Sequence, residues 1–314
     1  MTQQPPVAAR ARSLIALAVV ALLLAGCRGL EGDVLVAPAD GAAGEAGVAE
    51  AGAAKAGVGE AGIAEAGATA CPAGAQTVLL LDADGRLASY DPRADLLRDR
   101  ASIATSLHLA GCDTDEVALA LDRQGAAWTV SCQGELLRCD ADSGACARVD
   151  ASDLLSVAAH MAWAAAPDRT QALYVALPPG RVPRSPPPAA SSLFRLPDLG
   201  NPLATLGGWP ALASTADRLW GLFPARPDRG GTRARLAALD PATGAEIDPH
   251  DPPGVMLETT VPILLASSGG DLWVFQSSGA TTRVQRIGGS GQGSDTPRSI
   301  PRHVLGAAGS TCSP

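Results

Sequence analysis

Aromatic residues are scarce in this chain. Its 314 residues include five Trp, three Phe and two Tyr, although 46% of the sequence is hydrophobic. The apolar count is therefore carried by Ala, Val and Leu, and Ala buries little surface, so a mean hydropathy of +0.13 does not imply a membrane-embedded protein. Lysine is nearly missing: Lys55 is the single Lys among 24 Lys plus Arg. A formal net charge of −8 lacks the basic footprint of broad nucleic-acid binding, so no nucleic-acid partner is expected. There is no C-x-x-C, and the four His (108, 160, 250 and 303) are scattered, so neither a metal nor a cofactor is expected. G-x-S-x-G, H-E-x-x-H and P-loop motifs are all missing. No catalytic residue is assigned, and the chain is read as a non-enzyme. Sustained helical periodicity is scarce as well.

The N-terminus carries an address. Residues 1–12 are polar and include Arg10 and Arg12, and Ser13 to Gly26 then runs SLIALAVVALLLAG without a charge. A spanning helix needs ~20 apolar residues. A shorter run after a basic segment reads as a signal peptide, here 1–26. It ends Leu24-Ala25-Gly26-Cys27, which resembles the lipobox of bacterial lipoproteins. That resemblance implies cleavage before Cys27 and diacylation of its thiol. Losing Arg10 and Arg12 takes the formal charge from −8 to −10. Two acyl chains anchor stably where one does so marginally, so the expected partner is the membrane, reached through lipid. Arg28 stands where the sorting rule known from enteric bacteria has Asp for inner-membrane retention. The expected location is therefore the cell envelope, on the outer membrane, at its periplasmic face or at the cell surface.

Residues 44–68 then repeat every five as GEAGV, AEAGA, AKAGV, GEAGI and AEAGA. Charges five apart step ~140° around a helix and form no face. Gly at every fifth position costs ~1 kcal/mol each in a helix, and no large side chain offsets that by burial. Residues 27–74 are read as lipidated Cys27 followed by a disordered low-complexity tether. A flexible linker of ~43 residues has a reach of roughly 35–40 Å.

From Thr77 onward, short runs of Val, Leu and aromatics alternate with turn residues. A small residue or Leu followed by an aromatic recurs at Trp128, Tyr174, Trp220 and Trp273, at spacings of 46, 46 and 53. A second piece follows in each round: LASYDP (87–92), LLRCDA (136–141), LFRLPD (193–198), LAALDP (236–241) and VQRIGG (284–289). Round two shows the unit as VALAL (117–121), AWTVS (127–131), ELLRC (135–139) and ACARV (145–149). Its turns read as a two-residue Gln133-Gly134 hairpin and a longer loop at Asp142-Ser143-Gly144. Four antiparallel strands in ~45 residues make one β-propeller blade. Residues 75–314 are thus expected to be all-β, a propeller of about five four-stranded blades. The segment His303–Gly309 would supply the inner strand that TVLLLD (77–82) lacks, closing the ring by strand exchange and hiding both edges. Six or seven blades with degenerate members, or a β-sandwich, are the alternatives. Segments 91–116 and 248–262 are long enough to hold irregular strands.

The stretches 117–146, LDPATG (239–244), GGDLWVF (269–275) and VLGAAGSTCSP (304–314) resemble predicted β-propeller outer-membrane lipoproteins of myxobacteria, a group of unknown function. The resemblance is structural and implies no catalytic residue.

Besides Cys27 there are six Cys, an even number that in an exported chain implies disulfides. Cys71 and Cys312 flank the folded unit and would lock the closing strand. If Ala141–Gly144 is a four-residue loop, Cys139 and Cys146 stand opposite each other, leaving Cys112 with Cys132. The other set, Cys112–Cys146 with Cys132–Cys139, puts its second pair too far apart along the hairpin.

Other candidates are few. His160 lies on an expected inner strand, AAHMAW (158–163), and would face a central channel. Asp82 and Asp122 end strands beside turns and need no role beyond turn formation. RVPRSPPP (181–188) reads as an exposed, polyproline-like insertion. The functional expectation is a binding or scaffolding module of the cell envelope, with a protein or glycan partner left open. The alternatives are an envelope polysaccharide hydrolase or lyase, which needs carboxylates converging on one channel mouth, and a structural assembly component of the outer membrane.

Overall fold

The computed structural model describes residues 76–110, 115–149, 159–178, 190–198, 200–215, 218–224, 234–255, 257–258, 260–288 and 296–310. The Leu24–Cys27 segment, the tether, Cys71, Cys112, Cys312 and the 181–188 insertion lie outside them.

Twenty strands form five four-stranded antiparallel sheets, the blades of a five-bladed β-propeller. Blade 2 is β4 (Leu119–Leu121), β5 (Ala126–Val130), β6 (Leu136–Asp140) and β7 (Cys146–Arg148). Blade 3 is β8 (His160–Ala165), β9 (Gln171–Leu177), β10 (Ser191–Arg195) and β11 (Ala204–Leu206). Blade 4 is β12 (Ala211–Ser214), β13 (Leu219–Phe223), β14 (Arg235–Leu239) and β15 (Glu246–His250). Blade 5 is β16 (Leu264–Ser268), β17 (Asp271–Ser278), β18 (Thr281–Ile287) and β19 (Arg298–Ile300). Blade 1 is composite: β20 (Val304–Gly309) is its inner strand, followed by β1 (Val78–Asp82), β2 (Arg86–Asp91) and β3 (Leu96–Ser102). The closing strand pairs antiparallel with β1, Val78 opposite Gly309 and Leu80 opposite Ala307. The five-blade count and the strand exchange are as the repeat spacing predicts.

Closure is reinforced at the start of β20. Arg302 reaches Asp82 at 3.2 Å and also pairs with Asp99, both in blade 1. Inner strands are linked to one another where their edges would otherwise leave polar groups unpaired. Val117 donates its N–H to Leu305 O (2.8 Å), Ser267 Oγ donates to Ser214 O (2.5 Å), and Ser214 Oγ donates to Trp163 O.

The blades pack through rings. Trp128, Tyr174, Trp220 and Trp273 all lie on second strands, and each stands opposite an inner-strand Ala: Ala120, Ala162, Ala213 and Ala266. Each belongs to the apolar cluster shared with the following blade. Trp128 meets Trp163 edge-on at 5.1 Å between blades 2 and 3, and Tyr90 meets Phe275 at 6.2 Å between blades 5 and 1. Such pairs add ~0.5–1.5 kcal/mol beyond the area they bury.

The turns follow from their Asp and Gly residues. Asp140 Oδ1 accepts the N–H of Asp142 (3.1 Å) and of Ser143 (2.7 Å), and Gly144 follows at φ +74. Asp240 repeats the device with Ala242, Thr243 and Gly244. Two local expectations need correction. At Gln133-Gly134 the loop is three residues long: Ser131 N–H donates to Glu135 O and Gly134 N–H to Ser131 O, each at 2.9 Å. A two-residue turn would need φ > 0 at Gln133 as well, whereas here only Gly134 takes it, at +84°. In addition, the long 91–116 stretch holds a helical turn, α1 (Ala104–Leu107), beyond β3. Its Leu107 and the preceding Ile103 are buried between blades 1 and 2.

Candidate functional site

The axial channel is nearly filled. At one end its remaining space is about 10 Å³, bordered by Glu116, His160, Met161, Leu212, Leu265 and Ala307. A second space of about 10 Å³ lies between Met161, Leu212, Leu265 and Ala308. One water needs about that much room, so neither of these two spaces among the described residues offers a seat for a substrate.

His160 opens β8 and faces this channel, as its place in AAHMAW predicts. No sequence pattern points to its partner. Glu116, 2% exposed, places Oε1 2.9 Å from His160 Nε2, and the Trp209 ring lies edge-on to the imidazole at 4.8 Å. Glu116 from the segment before β4, His160 from β8 and Trp209 from the link between β11 and β12 thus form a packed, polar plug at the channel mouth. Glu116 is the carboxylate bordering the space at this end.

Asp82 and Asp122 form turns, as expected. Asp82 Oδ1 accepts the N–H of Asp84 (3.0 Å) and of Arg86 (2.9 Å). Asp122 does more than form a turn. Oδ1 takes the N–H of Ala126 at 2.8 Å, while Oδ2 takes the indole N–H of Trp128 at 2.9 Å and Arg138 Nε at 3.4 Å. It therefore anchors a blade-packing ring to its own turn.

A roomier feature lies between blades 1 and 2. A cleft of about 290 Å³ is lined by Leu79, Ser89 and Arg100 from blade 1 and by Arg138, Asp140 and Asp142 from blade 2. Its origin is legible in the register. Leu79 stands opposite Ala308 of the inner strand and Ser89 of the third strand. Trp128 stands between Ala120 and Arg138, and Trp273 between Ala266 and Arg286. Leu79 thus holds in blade 1 the position that an aromatic ring holds in the other four. The apolar cluster between blades 1 and 2 contains no aromatic side chain, whereas all ten rings lie at the other four interfaces.

The cleft carries both signs of charge. Arg100 pairs with Asp142 across the two blades. The N–H and hydroxyl of Ser143, with the N–H of Asp142, hold the Asp140 carboxyl below its ordinary range. Ser89, 7% exposed, lines the cleft as well.

The Cys139–Cys146 disulfide is present, between residues directly opposite in the β6–β7 ladder. Its partners meet because the Ala141–Gly144 loop has four residues. Cys132 is also disulfide-bonded; the Cys112 expected as its partner, and the pair Cys71–Cys312, lie outside the described residues. Among the described residues no group of three or more His, Cys, Asp or Glu could hold a metal ion, and no helix is long and apolar enough to cross a membrane.

No family model matches the sequence, and no curated protein matches it. Among solved structures, TolB from Acinetobacter baumannii is similar over 71% of this chain and 51% of its own, at 15% identity and a TM-score of 0.41. This chain thus spans about half the length of that TolB chain. Regucalcin from Agrobacterium tumefaciens str. C58, a calcium-binding protein, is 15% identical over 74% of each chain, with a TM-score of 0.36. The β-propeller domain of Cps50 (Swd1) from Myceliophteria thermophila is 12% identical, covering 73% of this chain and 84% of its own at a TM-score of 0.33.

Proposed function

We propose that the chain is a cell-envelope lipoprotein, anchored through diacylated Cys27, which holds its propeller on the 28–74 tether as a binding or scaffolding module. The observation that carries the binding role is the filled axial channel: Met161, Leu212 and Leu265 leave about 10 Å³ in each of its two spaces. With the channel closed and the inner edges paired around the ring, contact with a partner falls to the loops of the two faces and to the cleft between blades 1 and 2. The anchoring half of the reading is supported by Arg10, Arg12, the uncharged run to Gly26 and the LAGC sequence at 24–27. A hydrolase or lyase would need a second carboxylate facing Glu116 across open space, and the residues around that end of the channel give this reading no support.

The test is chemical crosslinking in intact cells, followed by affinity purification of the full chain from native membranes and identification of what comes with it. The reading expects one or more envelope components recovered in proportion to the chain, and loss of membrane association in Cys27→Ser. A chain recovered alone from crosslinked membranes sinks the scaffolding role. Unchanged membrane association of Cys27→Ser sinks the anchor.

A further inference from the structure

We infer that the cleft between blades 1 and 2 is a binding site for a neutral sugar ring; this deepens the binding role proposed above and rests on it.

Four observations converge. First, the cleft lies where this propeller breaks its own packing rule: Leu79 stands in place of the ring found at Trp128, Tyr174, Trp220 and Trp273. Packed interiors leave few voids larger than a water, and although Ile103 and Leu107 fill part of this interface, a cleft of about 290 Å³ remains beside Leu79. Secondly, the size fits. About 290 Å³ is many times the ~10–15 Å³ that admits one water, so the cleft has room for a small ring.

Thirdly, the lining is balanced. Arg100 and Arg138 stand against Asp140 and Asp142. No excess of either sign favours an anionic or cationic ligand. Guanidinium donors beside carboxylate acceptors suit a molecule whose hydroxyls each donate and accept. Leu79 and Leu121 supply the apolar surface on which the face of a ring can lie. Finally, Ser89, 7% exposed, lines this cleft and places a hydroxyl, which both donates and accepts, beside the charged groups.

The test uses the full chain and three probes: N-acetylglucosamine as a neutral ring, glucuronic acid as an anionic one and glucosamine as a cationic one. Binding is read by saturation-transfer NMR and by titration. At the efficiency of ordinary small ligands, a single ring should bind with a Kd of roughly 1 mM. The neutral probe should bind better than both charged probes. Leu79→Trp supplies the ring that blade 1 lacks, and it should weaken binding at least tenfold while the melting temperature stays level or rises. Ser89→Ala removes one hydroxyl without changing the packing, and it should weaken binding about fivefold, the value of one hydrogen bond. It keeps the test open if Leu79→Trp fails to fold. The inference is overturned if no neutral sugar binds at tens of millimolar, if a charged probe binds better, or if a folded Leu79→Trp or Ser89→Ala variant binds as tightly as the unaltered chain. Protein partners recovered from membranes without sugar binding would overturn this inference and leave the scaffolding role standing.

Discussion

Ring closure depends on one missing Cβ. Gly309 ends β20, and a Cβ added there would lie 2.1 Å from the carbonyl oxygen of Ser267, 2.4 Å from its nitrogen and 2.5 Å from its Oγ. Two of those atoms are backbone of β16, which is held in its own ladder by the pairing of Ser267 with Leu272. They cannot swing away as a side-chain tip would. The overlap has to be relieved by parting β20 from β16, at the seam where the first and last blades meet. Overpacking costs typically 1–3 kcal/mol, and with backbone receiving the clash Gly309→Ala belongs at the upper end, about 3 kcal/mol. At ~2–4 °C per kcal/mol for a domain of this size, the melting temperature should fall by ~6–12 °C. Gly279→Ala is the control. Gly279 sits in the β17–β18 hairpin at φ +61 with nothing within 4 Å of an added Cβ, so it carries only left-handed strain, ~1–2 kcal/mol. Urea titrations of both variants, followed by Trp fluorescence, make the comparison. If Gly309→Ala loses no more stability than Gly279→Ala, β20 does not pack against β16 as described and the closure argument is wrong.

Other perturbations reach other parts of the ring. Asp122→Ala leaves the Trp128 indole N–H and the Ala126 N–H without their acceptor; leaving a buried donor unpaired costs about 1–3 kcal/mol, so the urea midpoint should drop and the Trp fluorescence of the native state should change, and an unchanged midpoint would remove Asp122 from blade packing. Replacing both Cys139 and Cys146 by Ser opens a loop of sequence separation 7, for which the chain-entropy formula gives about 2.5 kcal/mol; equal stability with and without the bond contradicts that value. Asp140 and Asp168 are both held below the ordinary carboxylate range, Asp140 chiefly by the Ser143 N–H and Asp168 chiefly by the Thr170 hydroxyl. A depressed carboxyl stabilises the fold above its unfolded value and stops doing so as pH falls through the folded one. The urea midpoint should therefore decline below about pH 4, and less steeply in the Asp140→Asn, Asp168→Asn double variant; parallel curves would show that these turns do not contribute.

Much of the architecture is legible in the sequence because a propeller repeats its local signals. Asp-containing turns mark strand ends, the second strands carry their rings at spacings near one blade, and the orphan TVLLLD run demands an inner strand from the far end of the chain. Pairing Cys139 with Cys146 follows from loop length alone, since a four-residue turn places them opposite each other. What stays hidden is whatever depends on contacts between blades. Glu116, just before β4, meets His160 of β8 from 44 positions away, with no pattern linking them. Trp163, Trp209 and Phe194 fill interfaces without occupying the repeated position, so spacing does not find them. The length of the Gln133-Gly134 loop is hidden too, because a Gly that ends a three-residue loop resembles one that ends a two-residue turn. The cleft had a sequence signal all along: round one has Leu79 where the other rounds have rings. That absence becomes interpretable only once the register shows the positions to be equivalent.

The scarcity of rings and the abundance of Ala then have one physical cause. Each ring on a second strand needs a small inner-strand neighbour on the same face, and Ala120, Ala162, Ala213 and Ala266 provide it. The next positions along those inner strands point toward the preceding blade, and there Leu119, Met161, Leu212 and Leu265 are larger. Five inner strands enclose a narrow axis, so those side chains suffice to fill it. A ring beside a larger inner residue would overpack the interface, and Ala without a ring would leave it hollow. Blade 1 keeps the Ala, at 308, but not the ring. A hollow there is what the rule demands of that combination, and it lies beside the composite blade whose strands come from the two ends of the domain. A ligand bound in the cleft would bridge blade 1 to blade 2 next to Thr77 and Ser310, beside the paired strands β1 and β20 that close the ring. Occupancy would then stabilise the closure of the ring as well as the complex, by the general linkage of ligand binding to folding.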